Sequence, residues 1–217
     1  MASGCTFLKN MYWVLRHGKS IPNEKGLIVS SLENGTLKQY ELASEGVHQA
    51  RLAGELFLKE LSEKNIGPEN VRICYSPFSR TSHTATVVAS VLNIPLEGPW
   101  CKAMADLRER YFGPSYELMS HDKIDPFMRP EGGESVADVV SRLTRALTIV
   151  ESEFEGCAVL VVSHGDPLQI LQTILSAAKK HSGPGDDLTS GNADNQHSLC
   201  ICQGIASLPY KLENFVN

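Results

Sequence analysis

No stretch of the 217-residue chain approaches the ~20 consecutive apolar residues that a bilayer-spanning helix needs. The opening MASGCTFLKN lacks the apolar core of a secretory signal, and its second residue is Ala, not the Gly that myristoylation requires. A cytoplasmic protein with no membrane partner is therefore expected. A net charge of -5 gives no global attraction for nucleic acid, so any anion site must be a local cluster of basic groups. The six cysteines (Cys5, Cys74, Cys101, Cys157, Cys200 and Cys202) are too sparse to frame a small secreted domain and are expected to be reduced. Cys200 and Cys202 have no second pair at ligand spacing to close a tetrahedral metal site. Neither a metal nor a cofactor is expected, and no internal repeat is present.

What is there resembles ordinary globular usage, with 42% apolar and 21% charged residues on a chain long enough for one buried core. Three short apolar runs read as buried strands: MYWVLR (11 to 16), VRICYS (71 to 76) and AVLVVS (158 to 163). Each is followed by a segment of helical character: LASEGVHQARLAGELFLKEL, SRTSHTATVVASVL and DPLQILQTILSAAKK. A fourth helix is expected at ESVADVVSRLTRALTIVESEF, with a core stripe of Val136, Val139, Val140, Leu143, Leu147 and Val150.

Alternation of strand and helix predicts an α/β fold: a three-layer sandwich with a mostly parallel central sheet and helices on both faces. Ligands of such sheets bind beyond the carboxyl ends of the strands, where RHGKS, SPFSRT and SHGD stand. Residues 21 to 40 and 113 to 133 read as loops able to cover that end. One domain is expected over 1–180. Residues 181–217 read as a linker (HSGPGDDLTSGNADNQ) followed by an edge strand or tail in SLCICQGIASLPY.

The three strand ends share one chemistry. His17 can act as a nucleophile on phosphorus if one ring nitrogen is unprotonated and the phosphoryl charge is neutralised. Arg16 beside it supplies a planar fork of donors that keeps its charge, and Gly18 allows close backbone approach. Arg80 stands in the first turn of the second helix, whose N-terminal N–H groups also favour anions, and His164 lies beyond the third strand. Two arginines and two histidines at three strand ends make a positive box suited to a phosphoryl group.

These residues, taken with LRHGKSIPN, LASEGVHQA, YSPFSRTSHTA, LRERYFG, PEGGES and VVSHGDPL, resemble the histidine phosphatase superfamily, which includes cofactor-dependent phosphoglycerate mutase and the bisphosphatase domain acting on fructose 2,6-bisphosphate. The similarity runs from about Tyr12 to Leu175. It implies a metal-independent phosphomonoesterase with a phosphohistidine on His17. Arg16, Arg80 and His164 would hold the phosphoryl oxygens, Asn23 would add an amide donor, and Ser20 and Gly165 would complete the phosphate-binding set. Glu109 would be the proton donor; without the resemblance it reads as a solvated carboxylate paired with Arg108 or Arg110. Asp166 is the rival donor. Gly165 between it and His164, and Pro167 after it, match the mutase-like branch. ENGTLKQYELASEGVHQARLAGE and SHGDPLQILQ resemble a plant branch in particular.

The implied partner is a small phosphorylated substrate, and a homodimer is the one assembly left open. Two alternatives accompany hydrolysis: mutase-type phosphoryl transfer, and an inactive phosphate-binding scaffold. Only about twenty residues separate LRERYFG from GGES, a short cover that admits water and favours the phosphatase. Both histidines, both arginines and Glu109 stand against the inactive scaffold. Lys25, Tyr111, Tyr116, Lys123 and Arg129 are the candidates for reading the leaving group. Lys19 would add positive potential, and His48, His83 and His121 read as surface or packing residues.

Overall fold

A computed structural model describes residues 8–123, 131–180 and 199–201. The strands are β1 (Met11–Arg16), β2 (Val71–Tyr75), β3 (Cys101–Ala103), β4 (Ala158–Ser163) and β5 (Leu199–Ile201). They form a parallel sheet in the order β3-β2-β4-β1-β5. The helices are α1 (Ile21–Glu24), α2 (Leu32–Gly35), α3 (Ser44–Glu63), α4 (Ser79–Val91), α5 (Val136–Glu153) and α6 (Gly165–Lys180).

Every residue of β4 is buried, which is why AVLVVS is apolar without alternation: a central parallel strand is covered on both faces. The two-residue period of the strands sorts the core into two layers. Tyr12, Val14, Val159 and Val161 face α5 and α6 through Leu143, Leu147, Leu171 and Leu175. Trp13, Leu15, Leu160 and Val162 face α3 and α4 through Phe57, Leu61, Val88 and Leu92. The expected three-layer sandwich is thus present.

Some details differ from the expectations. In the stripe of α5, Val139, Leu143, Leu147 and Val150 are buried, but Val136 is 54% and Val140 37% exposed. Val140 stands one residue, about 100° of rotation, from the Val139 row, and Val136 opens the helix. Residues 21–40 are not plain loop: they hold α1, α2 and a 3₁₀ turn at Lys38–Tyr40. Ser20 and Asn23 close a capping box on α1, and the Ser31 side chain caps α2. β3 fell on a stretch with no expected element. The linker (181–196), Ser198 at the start of the expected edge strand, and the tail beyond Ile201 with Cys202 lie outside the described residues; within that edge strand the backbone of Leu199–Ile201 pairs with β1.

The two segments expected to cover the strand ends hold each other. Ile28 donates its N–H to Met119 O (2.9 Å), Leu118 to Ile28 O (2.8 Å) and His121 to Gly26 O (2.9 Å). The Glu117 carboxylate, lowered in pKa by the donors that offset its burial, accepts from Ser30 N, Ser30 Oγ, Ser31 N, Ser31 Oγ and Asn34 Nδ2 at 2.8–3.0 Å.

Candidate active site

The sheet order puts β4 between β1 and β2, so the ends of those three strands are neighbours. Backbone pairing continues past the strands: His17 N–H donates to Ser163 O (3.1 Å) and Ser76 N–H to Val162 O (3.0 Å). His17 and His164 consequently meet, ring centroids 5.2 Å apart and 66° between planes. Phe78, fully buried, backs both His164 (5.0 Å) and the Arg80 guanidinium (5.0 Å).

His17 is 8% exposed, and its Nδ1 lies 2.8 Å from Gly18 O, a carbonyl that can only accept. The proton therefore sits on Nδ1. Nε2 keeps its lone pair and accepts from Arg80 Nε at 3.1 Å. Burial, then the charges of Arg80 and Arg16, hold the His17 pKa well below its ordinary 6.5, so the ring is neutral. Burial and Arg80 do the same to His164, whose Nε2 pairs with Ser76 Oγ at 2.9 Å.

Arg80 is fixed at one Nη2 by Val29 O (3.0 Å), the carbonyl at the head of the Glu117 clamp. Burial lowers its pKa to about 10, which leaves it charged at neutral pH. Arg80 Nη1 and His164 Nδ1 are buried without a hydrogen-bond partner among the described residues. Buried polar atoms of that kind call for an explanation. Glu109 Oε2 lies 3.9 Å from Arg80 Nη2 and 3.7 Å from His164 Nδ1. Burial, opposed by Arg80 and assisted by Asp166, pushes its carboxyl up to about 7.

His17, His164, Arg80 and Glu109 are thus brought together. Arg16 is exposed at the end of β1 and acts on them through its charge. Ser20 is fully buried and spends its hydroxyl on Asn23, whose Oδ1 is taken up by the same capping box. Gly165 opens α6 with open space where a Cβ would stand. At Gly18 the close approach is to protein: a Cβ there would meet Gly46 O at 2.3 Å. Lys19 adds little free charge, because Glu45 (2.6 Å) and Glu24 (4.0 Å) neutralise it. The Asp166 side chain is 45% exposed and 3.8 Å from Arg110 Nη1.

Among the other candidates, His48 is exposed, and His83 stands 3.5 Å from Glu41. His121 is exposed, yet partial burial, Arg16 and Arg80 lower its pKa, which places it in the site's positive field. Lys25 is exposed, Tyr111 and Tyr116 are half-buried, and Arg129 and the Lys123 side chain lie outside the described residues. Sequence reasoning missed Ser76, Glu117 and Arg142. Ser76 lies inside a quoted motif, and Arg142 is the one basic side chain on the buried face of α5; Glu117 had no local signal. Among the described residues no group of three or more His, Cys, Asp or Glu is arranged to hold a metal, and no helix is long and apolar enough to cross a membrane.

Solved structures share this architecture. An Escherichia coli putative alpha-ribazole-5'-P phosphatase is 23% identical, with a TM-score of 0.60, over 80% of this chain and 84% of that one. Bacillus stearothermophilus YhfR is 23% identical with a TM-score of 0.60, over 77% and 80%. A mycobacterial glucosyl-3-phosphoglycerate phosphatase in complex with VO3 is 24% identical with a TM-score of 0.57, over 79% and 84%. No curated protein sequence matches the chain. The family model of the histidine phosphatase superfamily (branch 1) matches residues 12–184, and the chain belongs to that superfamily.

Proposed function

We propose that the protein is a phosphatase that hydrolyses small phosphate monoesters through a phosphohistidine on His17, without a metal. The observation that carries this reading is the state of His17: Nδ1–H is tied to Gly18 O, and the Nε2 lone pair points at the guanidinium of Arg80. A phosphoryl group entering between Nε2 and Arg80 finds its nucleophile and its countercharge in one place. Arg80 Nη1 and His164 Nδ1, without partners among the described residues, supply donors for its oxygens, and Arg16 adds charge at the mouth.

In the first half-reaction Nε2 forms a bond to phosphorus as the ester P–O bond breaks, and the leaving oxygen takes the proton of Glu109. In the second, the Glu109 carboxylate takes a proton from water, the hydroxide oxygen bonds to phosphorus, and the N–P bond breaks to release inorganic phosphate and neutral His17. A carboxyl near 7 can serve in both directions at neutral pH. The charges of Arg16 and Arg80 stand where other phosphatases use a metal.

The test is turnover of an aryl phosphate and a panel of sugar, ribosyl and glycerate phosphates in chelator, wild type against His17→Ala. Activity that survives chelation and vanishes in the variant is expected. Loss on chelation, or full activity in the variant, would refute the mechanism.

A further inference from the structure

The segment that carries Glu109 has no ladder to hold it: residues 108–113 form neither helix nor strand. Its backbone is instead tied to side chains from elsewhere: Ser30 Oγ accepts from Phe112 N (3.2 Å), and Arg142 and Glu134 hold the part around Glu109. Arg142, 3% exposed among the apolar residues of α5, donates Nη1 to Asp106 O (2.6 Å) and Nη2 to Glu109 O (3.3 Å). Its remaining donors meet Glu134: Nε to Oε1 at 3.0 Å and Nη2 to Oε2 at 3.2 Å. Glu134 Oε2 also accepts from Tyr111 N (3.0 Å), and Oε1 from Arg108 Nη2. Glu134 N–H donates to Tyr111 O (2.8 Å), and Arg110 Nε donates to Glu134 O (2.9 Å). Ser163 Oγ adds a bond to Leu107 O (2.6 Å). A buried guanidinium is costly and stands only with its donors met, and a hydrophobic residue would pack the same face of α5.

We propose that Arg142 and Glu134 are positioning residues that hold the Glu109 carboxyl over His164 and Arg80, so that proton delivery to the leaving oxygen depends on them. The proposal rests on the phosphatase reading above. Arg142 reaches the acid through the carbonyl of Glu109 itself, and Glu134 fixes the residues on either side. Neither side chain is among those placed around the phosphoryl group, so attack by His17 is left intact when they are changed. Misplacement of a catalytic group by about 1 Å costs on the order of 10²-fold in rate.

The experiment measures kcat/KM, which reports phosphorylation of the enzyme, for two substrates in the full-length protein. 2,4-Dinitrophenyl phosphate has a leaving group that departs without a proton; glycerol 2-phosphate needs one. Arg142→Lys and Glu134→Gln are expected to lose about 10²-fold on glycerol 2-phosphate and less than about threefold on the aryl ester, as Glu109→Gln does. Retained aryl-ester activity certifies that the variants fold, and Glu134→Gln stands in if Arg142→Lys does not. In the Glu109→Gln background Arg142→Lys should add no further loss, because the two act as one unit. Equal losses on both substrates, no loss on either, or additive losses in the double variant would overturn the positioning role. Failure of the phosphatase reading is distinct: it appears in the wild type as no turnover of either ester, or in His17→Ala as undiminished turnover, and either result removes the proposal with it.

Discussion

His17, buried, and Glu109, its side chain 16% exposed, are titratable groups driven in opposite directions, and each direction gives the protonation state that the proposed chemistry would use. Burial costs whichever form is charged, so it lowers the imidazole and raises the carboxyl. For an ester with a poor leaving group, kcat/KM should therefore fall as pH rises through about 7, where Glu109 loses its proton. Glu109→Gln should lower the plateau by about 10²–10⁴-fold and remove this alkaline limb; a limb that persists in the variant would assign it to another group. Asp166→Asn removes a negative neighbour that raises Glu109, and should move the limb to lower pH. Ser76 is a different case, a fully buried hydroxyl whose partner is His164 Nε2. Ser76→Ala should cost about 1–3 kcal/mol in urea unfolding, since it leaves that nitrogen unpaired; a cost below about 0.5 kcal/mol would mean the bond contributes nothing.

Among the elements, the ends of β1, β4 and β2 place the histidines, while the paired segments around Ile28 and Leu118 place the arginine. Glu117 gathers five donors there, and the Val29 carbonyl next to them holds Arg80. Glu117→Ala should lower stability by about 2–3 kcal/mol through its unmet donors, and should weaken inhibition by vanadate, an oxyanion that Arg80 would bind. Unchanged stability with unchanged inhibition would sink this link. The three long strands were legible because each is a short, mainly apolar run, interrupted within β2 by Arg72 alone, and the long helices because their stripes span several turns. α1 and α2, at four residues, are too short to show a period, and three-residue β3 is too short to show alternation. Contacts such as Glu117 with Ser30, 87 residues apart, leave no trace in local pattern. The same limit explains why nothing in the helix pattern singled out Arg142: its partners Asp106 O and Glu109 O lie on another segment.

Over the molecule as a whole, the two apolar layers fix the sheet, and the buried site sets how stability responds to acid. His17 and His164 are held neutral in the fold with pKa values below 6.5, whereas the unfolded chain protonates them near 6.5. Their contribution is present above 6.5 and is lost as pH falls. Glu109, raised to about 7, acts in the opposite sense and loses stability as pH rises from about 4.5 through 7. Two histidines outweigh one carboxyl, so urea unfolding midpoints should drop from pH 6.5 to 5, and His164→Asn should flatten the drop. A midpoint that rises on acidification would show that these groups do not govern it. Remote from the strand ends, Phe57→Ala in the layer between α3 and the sheet should cost about 3–5 kcal/mol. Its KM for a turned-over ester should stay unchanged at a temperature where it remains folded.

The nucleophilic role of His17 is tested most directly by quenching the enzyme during turnover and locating the phosphoryl group by mass spectrometry and ³¹P NMR. One acid-labile, base-stable phosphoryl group on His17, absent from His17→Ala, is predicted. A phosphoryl group on another residue, or steady turnover by His17→Ala, would contradict it.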